Sequence, residues 1–148
     1  MIPIQQTKIV VALPPQFKNN GAFINNTYWD RAGWGHERIL FIVGTTDVII
    51  GSTNTSTPPF VEECDESGGS YTPVDDAELS AVIGAGDDNK NFAIDNDLTR
   101  THKRYGQVNA PTAGSGTGAN LTIVVELSKP SLPIKDAADL GFAELIEV

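Results

Sequence analysis

Ile39-Leu40-Phe41-Ile42-Val43 is an apolar run of five residues in the middle of the first half of the chain, and it decides the fold class. Five residues are a typical length for a β-strand and too few for a buried helix. Side chains along a strand point alternately to the two faces of its sheet. Because both parities of this run are apolar, it predicts a central strand that is covered on both faces.

The segments on either side of this run alternate between apolar and other residues with a period of two. Clear examples are Ile9, Val11 and Leu13 near the start, and Leu121, Ile123, Val125 and Leu127 near the end. Turn-forming stretches such as Asn19-Asn20-Gly21 separate such segments. The pattern predicts one antiparallel β-sandwich of jelly-roll or immunoglobulin-like type, with about eight strands. Its predicted core contains Ile9, Val11, Ile39, Phe41, Val43, Ile94, Tyr105, Ile123, Val125 and Leu127.

Two segments need a separate interpretation. Asp75-Asp76-Ala77-Glu78 has the form of a helix capping box, and Leu79, Val82 and Ile83 follow at helical spacing, so a short helix is possible here. The glycine-rich stretch 113–118 lacks a following Gly-Lys-Ser/Thr and precedes a strand. It therefore predicts a hairpin loop, since a phosphate-binding loop opens a helix.

The strand pattern covers residues 7–130 and leaves an arm at each end, residues 1–6 and 131–148. Both arms carry apolar residues, which a purely solvated tail does not need. We therefore predict that at least one arm packs on a neighbouring copy or on another protein. The predicted interface residues of the arms are Ile2, Ile4, Leu132, Ile134, Leu140, Phe142, Leu145, Ile146 and Val148.

The formal net charge of −9 makes nucleic acid an unlikely ligand class, because nucleic acids bind to cationic surfaces. Between Glu62 and Asp97 there are eleven acidic residues and one basic residue. A basic group follows them directly. One interpretation is a solvated acidic face, and the other is a pair of complementary patches that meet between copies. The second interpretation pairs Arg100, Lys103 and Arg104 with Glu62, Glu63, Asp65 and Glu66.

The residues that usually carry catalysis or bind metals are sparse. One cysteine, Cys64, and two histidines, His36 and His102, supply neither a nucleophile–base arrangement nor zinc-ligand spacing, so no enzyme activity is expected. Carboxylates at 87–88 and 95–97 could bind calcium, but turn formation explains them better. We predict no required metal and no cofactor.

The sequence contains no apolar run near the roughly 20 residues that cross a bilayer, so no membrane partner is expected. A lone cysteine excludes an internal disulfide framework. The first six residues do not form a signal peptide pattern, which predicts synthesis in the cytoplasm. Trp29 and Trp34 leave an alternative open, because exposed tryptophans on a β-domain can stack on sugar rings.

The middle of the chain, roughly residues 21 to 130, resembles a family of small tailed-phage and prophage virion proteins that are associated with heads and capsids. The similar stretches, in order, are 28–34 (Tyr-Trp-Asp-Arg-Ala-Gly-Trp), 38–47, 87–95, Lys103-Arg104-Tyr105 and 116–121. The family often has a Gln-Glu-Ser strand after the small-residue turn. Here Ile49-Ile50-Gly51-Ser52 stands in that place, and an unusual segment, 58–64, follows it.

The resemblance implies an accessory role on a virion and no activity of its own. The expected protein is a decoration or cement protein on the surface of a tailed-phage head, made in the host cytoplasm. Its expected partners are further copies of itself and the major capsid protein. The alternative is a virion-displayed domain that binds a host glycan through Trp29 or Trp34.

Overall fold

A computed structural model describes residues 6–18, 21–22, 27–47, 49–51, 57–113 and 117–130. These ranges contain eleven strands and no α-helix, which confirms the prediction of an all-β protein. The strands are β1 (Thr7–Lys18), β2 (Gly21–Ala22), β3 (Trp29–Asp30), β4 (Trp34–Thr46), β5 (Ile49–Ile50), β6 (Phe60–Cys64), β7 (Thr72–Glu78), β8 (Asn91–Asp97), β9 (Tyr105–Asn109), β10 (Pro111–Ala113) and β11 (Ala119–Pro130).

Two four-stranded antiparallel sheets form the sandwich. The first sheet has the order β1-β11-β4-β8, and the second sheet has the order β3-β9-β6-β7. A smaller sheet, β2-β10-β5, is also antiparallel. β4 and β11 are the two central strands of the first sheet, and together they carry eight of the buried apolar residues.

The core lies between the two four-stranded sheets. Ile39, Phe41 and Val43 of β4 are buried, as predicted, whereas Ile42 is 44% exposed. The prediction that this run is covered on both faces is therefore wrong. β4 alternates like a strand with one solvated face, and its outward side chains are apolar without being buried. The other buried apolar residues are Ala12, Leu13, Trp29, Ile50, Val61, Cys64, Ala77, Leu79, Ile83, Ile94, Val108, Ala119, Leu121, Ile123, Val125 and Leu127.

β1 corrects another part of the predicted core. Ile9 is only half-buried and Val11 is 50% exposed, while Ala12 and Leu13 are both buried. The cause is a register shift between Val11 and Leu13 in the pairing with β11. Such a bulge adds a residue to one strand and reverses the parity of its side chains. Tyr105 is half-buried as well.

The segment predicted to contain a short helix is instead strand β7. Its residues pair with β6, and Ala77 and Leu79 point inward while the acidic residues beside Ala77 are exposed. Sheet pairing thus supplies the backbone hydrogen bonds that an isolated helical turn would have to supply alone. β10 and β11, which flank the glycine-rich stretch, belong to different sheets and form no hairpin with each other; residues 114–116 between them lie outside the described residues.

The arms 1–6 and 131–148 lie outside the described residues, apart from Gln6. In the described ranges no helix is long and apolar enough to cross a membrane.

Candidate functional site

A buried carboxylate, Glu37, lies between the two large sheets. Its side chain is fully buried, and it accepts four hydrogen bonds. Trp29 Nε1 donates at 2.7 Å, Arg31 Nε at 2.9 Å, Arg31 Nη2 at 2.5 Å and Asn96 Nδ2 at 2.8 Å. A buried charge is tolerated when it is paired and fully hydrogen-bonded, and Glu37 meets both conditions.

Arg31 extends this arrangement to a second carboxylate. Its Nη1 donates to Glu63 Oε2 at 2.8 Å, and its side chain is almost completely buried. Glu37 and Asn96 belong to the first sheet, whereas Trp29 and Glu63 belong to the second. We call these five residues the polar clamp, because their side chains join the two sheets through ionic and neutral hydrogen bonds.

Local backbone structure explains how the clamp is built. Trp29 on β3 pairs with Gly106 on β9, and a Cβ atom at Gly106 would lie 2.6 Å from the indole ring. Only glycine leaves room for the ring at this distance, and Trp29 is 2% exposed as a result. Gly33, which has a φ of 85°, then turns the chain between Arg31 and β4.

The burial of Trp29 corrects the sugar-stacking alternative. An aromatic side chain must expose a ring face to stack on a sugar, and Trp29 exposes none. Trp34 is half-buried and packs partly against the core. Of the two residues predicted for the glycan-binding alternative, only Trp34 therefore retains an exposed part of its side chain.

Glu63 lies at the edge of the clamp, where the loop before β9 passes over it. Burial alone would raise its pKa, but hydrogen bonds from His102 and from the Lys103 backbone, together with the Arg31 charge, lower it overall. The distance from His102 Nδ1 to Glu63 Oε2 is 3.0 Å, and from Lys103 N it is 3.2 Å. Glu63 is consequently an anion at neutral pH. A general acid needs a raised pKa, so this carboxylate suits charge pairing and does not suit proton donation.

An open cleft of about 530 Å³ borders the clamp. Most of its polar lining is acidic, with one arginine and one histidine; the lining residues are Glu63, Pro73, Val74, Asp75, Asp76, Asp95, Asn96, Asp97, Arg100, Thr101 and His102. Several of the acids have partners within the chain. Asp95 pairs with Arg38 at 2.8 Å, and hydrogen bonds from Thr99 lower the pKa of Asp97. No three His, Cys, Asp or Glu side chains are placed to hold a metal ion in the part of the chain that the structure describes.

The loop acids at 87–88 form hydrogen bonds within their own turn and to β4. Asp87 accepts from Gly84 N at 2.9 Å and pairs with Lys90 Nζ at 2.8 Å, which lowers its pKa, the Lys90 bond contributing most. Asp88 accepts from Thr46 N at 2.6 Å. These hydrogen bonds give both acidic residues a structural role in the loop.

The predicted complementary patches are neighbours within one copy. The backbone N–H of Lys103 donates a hydrogen bond to Glu63, and the side-chain Nζ of Lys103 donates to Thr72 Oγ1 at 2.9 Å. Arg104 pairs with Asp30 at 2.7 Å, and this hydrogen bond is the main reason why the pKa of Asp30 is lowered.

The remaining members of the two patches lie around these pairs. Arg100 lines the cleft, Glu62 is half-buried on β6, and Asp65 and Glu66 are exposed just after β6. Contact of these patches between copies stays a prediction.

The outward face of the first sheet is a second candidate site, and the sequence analysis made no prediction for it. Strand pairing places Val11, Val124, Leu40 and Ala93 in one row across all four strands. The next row contains Thr122, Ile42 and Asn91, and the last contains Phe17, 56% exposed, opposite Asn120. We call the six apolar members of these rows, Val11, Phe17, Leu40, Ile42, Ala93 and Val124, the outer apolar face. A groove of about 550 Å³ lies on it, lined by both Phe17 and Ile42.

The other half of the same sheet surface is polar. One row contains Ile9, Glu126, Arg38 and Asp95, and the row beyond it contains Thr7, Ser128, His36 and Asp97. The first sheet therefore has an outward surface that is divided along the strands into an apolar half and a polar half.

The polar clamp was missed by the sequence analysis, although the sequence carries a signal for it. Glu37 shares the parity of Ile39, Phe41 and Val43, and Asn96 shares the parity of Ile94. A charged residue on the inward parity of a core strand requires a buried partner. That signal predicts a buried ion pair but does not identify Arg31.

No protein-family model matches the chain, and no curated protein matches it at a significant level. The geometry of the described residues is therefore what the functional proposal is built on, together with the resemblance noted in the sequence.

Proposed function

We propose that this protein is a structural component of a tailed-phage virion, a decoration or cement protein that packs on the surface of the head. In this role it acts by protein–protein contact, forms a homo-oligomer and binds the major capsid protein. It requires no cofactor and carries out no reaction. It is made in the host cytoplasm and joins the particle there.

The observation that carries the proposal is the outer apolar face. Large apolar side chains on a soluble domain are usually scattered, and a contiguous exposed group marks an interaction surface. Here Val11, Phe17 and Ile42 are each between 44% and 56% exposed, on the outward side of the two longest sheet strands and their neighbour. A protein that works by packing needs such a surface.

Three further features support the same role. The polar groups of the clamp are satisfied inside the chain, so they serve the sandwich itself. The strong negative charge disfavours the packaged nucleic acid as a partner. The order of motifs shared with small virion proteins, over roughly residues 21 to 130, supports placement on a phage particle.

The test is the copy number of the chain in purified particles of the phage or prophage that encodes it. Quantitative mass spectrometry against a labelled standard should find hundreds of copies per particle, with a fixed ratio to the major capsid protein. Antibody labelling in electron microscopy should decorate the head. A few copies at one vertex or on the tail would favour the glycan-binding alternative, and absence from particles would contradict both. The position of the gene beside a major capsid protein gene is the cheapest supporting observation.

A further inference from the structure

The outer apolar face needs an occupant, because its apolar side chains gain by leaving water. At the centre of the face, β11 and β4 are paired on both edges within the sheet, so an occupant there covers side chains and does not add a strand; β1 and β8, which also carry residues of the face, are the edge strands. The groove on the face has a volume of about 550 Å³ and is lined by Phe17 and Ile42 together with the polar residues Gln16, Asn89 and Asn120.

The chain itself offers a segment of matching chemistry. Residues 131–148 follow directly on β11, and they include seven large apolar side chains: Leu132, Ile134, Leu140, Phe142, Leu145, Ile146 and Val148. Three pairs of them, 132/134, 140/142 and 146/148, are spaced by two residues, which turns both side chains of a pair to one side of an extended chain. Eighteen residues in extended form span up to about 60 Å, which exceeds the length of the sheet.

The direction of β11 decides between the same copy and another copy. Along β11 the apolar rows come first, at Thr122 and Val124, and the polar rows follow, at Glu126 and Ser128. The chain therefore leaves the sheet at Pro130, about 20 Å beyond Val124 at the usual rise per residue, and it moves away from the outer apolar face. To reach its own face it would have to reverse and cross both polar rows. A neighbouring copy whose face lies beyond the Pro130 end of β11 is reached without this reversal.

We propose that residues 131–148 of one copy pack on the outer apolar face of a neighbouring copy. Such a contact joins two different surfaces, so it is heterologous and closes into a ring when the rotation between copies permits. The inference rests on the proposed function, which requires contact between copies, and it names the two surfaces that make that contact.

Complementation between two full-length variants tests the inference. Ile42→Lys alters the face and leaves the tail intact, whereas Leu140→Asp/Phe142→Asp alters the tail and leaves the face intact. We expect wild type to self-associate in light scattering and analytical ultracentrifugation. Each variant alone should be a monomer, with its self-association Kd raised at least about 30-fold, as for loss of an interface hot spot. Their equimolar mixture should form a dimer, because it contains one intact face and one intact tail.

Matched controls make the result specific. Ile42→Val keeps the face apolar and should keep the wild-type mass, and Ser70→Lys adds the same charge to an exposed loop of the second sheet without effect on association. Val11→Lys is a second face variant, for use if Ile42→Lys lacks the wild-type circular dichroism spectrum.

Three outcomes would overturn the inference. A monomeric wild type would exclude contact between copies, and a mixture that stays monomeric would exclude the pairing of these two surfaces. If both variants instead lose thermal stability equally while every sample stays monomeric, the tail covers its own sheet. All three leave the copy-number test of the virion role unaffected, so the two proposals can fail separately.

Discussion

The polar clamp places charged groups in the interior, and the outer apolar face places apolar side chains on the surface, which is the reverse of the usual distribution in a globular domain. The clamp puts a carboxylate and a guanidinium between the sheets, with Glu37 fully buried and Arg31 4% exposed. The outer face puts Ile42 and Val11 in water, on the other side of the same first sheet. Two neighbouring residues of β4 show the contrast, since Phe41 is fully buried and Ile42 is 44% exposed.

The difference lies in whether each region is satisfied by its own chain. Each hydrogen-bonding atom of the Glu37 carboxylate has a donor from the opposite sheet or from β8. The outer apolar face has exposed apolar surface that water does not stabilise. The clamp is therefore a structural part of the domain, and the face is the part that is suited to another molecule.

The largest expected effect on stability comes from removing the charge of Glu37 in the polar clamp. Glu37→Gln should lower the free energy of unfolding by about 3–5 kcal/mol, because it replaces the fully buried anionic partner of Arg31 with a neutral one and leaves Arg31 to pair with Glu63 at the edge of the clamp. Urea unfolding followed by tryptophan fluorescence measures this. Glu126→Gln, on the polar half of the outer surface, is the matched control and should change stability by less than about 0.5 kcal/mol. A Glu37→Gln loss as small as that of the control would mean that the buried pair does not hold the sheets together.

The next effect concerns the space under Trp29. Gly106→Ala should cost about 1–3 kcal/mol and blue- or red-shift the tryptophan emission, since the new methyl group would displace the indole from Gly106. Gly68→Ala is its control, because a Cβ atom there meets nothing within 4 Å. Equal unfolding midpoints for the two variants would show that the indole moves freely.

A smaller effect is expected in the pH dependence of stability. The pKa of Glu63 is lowered in the folded chain from its usual value of 4.5, so its stabilising contribution is present above about pH 4.5 and is lost as the pH falls through the lower, folded value. Glu63→Gln should therefore flatten the decline of unfolding free energy below about pH 4.5. A decline as steep in the variant as in wild type would assign acid sensitivity to other carboxylates.

The smallest effect on stability is expected on the outer face. At concentrations where the chain is monomeric, Ile42→Lys should change the free energy of unfolding by no more than about 0.5 kcal/mol. Phe41→Ala, one residue earlier, should cost about 3–5 kcal/mol because it opens a cavity in the core. Chemical unfolding of both at low micromolar concentration measures the contrast. A large loss in the Ile42 variant would mean that this side chain is covered within its own copy.

Several parts of the fold followed from local sequence patterns. The alternation at Ile123, Val125 and Leu127 predicted a strand with one buried parity, and all three residues are buried, as are Ile39, Phe41 and Val43 of the predicted core. Such alternation works because the side-chain period of a strand is a local property. The predictions failed where the answer depended on pairing. The bulge after Val11 reversed the parity of β1, and pairing with β6 turned a possible helix start into β7.

The sequence by itself determined that the chain is an acidic β-protein without a disulfide framework, because composition and the period of two are written along the chain. It also carried the inward parity of Glu37. Only the tertiary structure decided that Arg31 answers that charge and also pairs with Glu63, because strand pairing brings β6 of the second sheet beside the Arg31 side chain. It alone decided that the apolar outward residues of β4 stay exposed, since covering a face requires another layer and none lies there among the described residues.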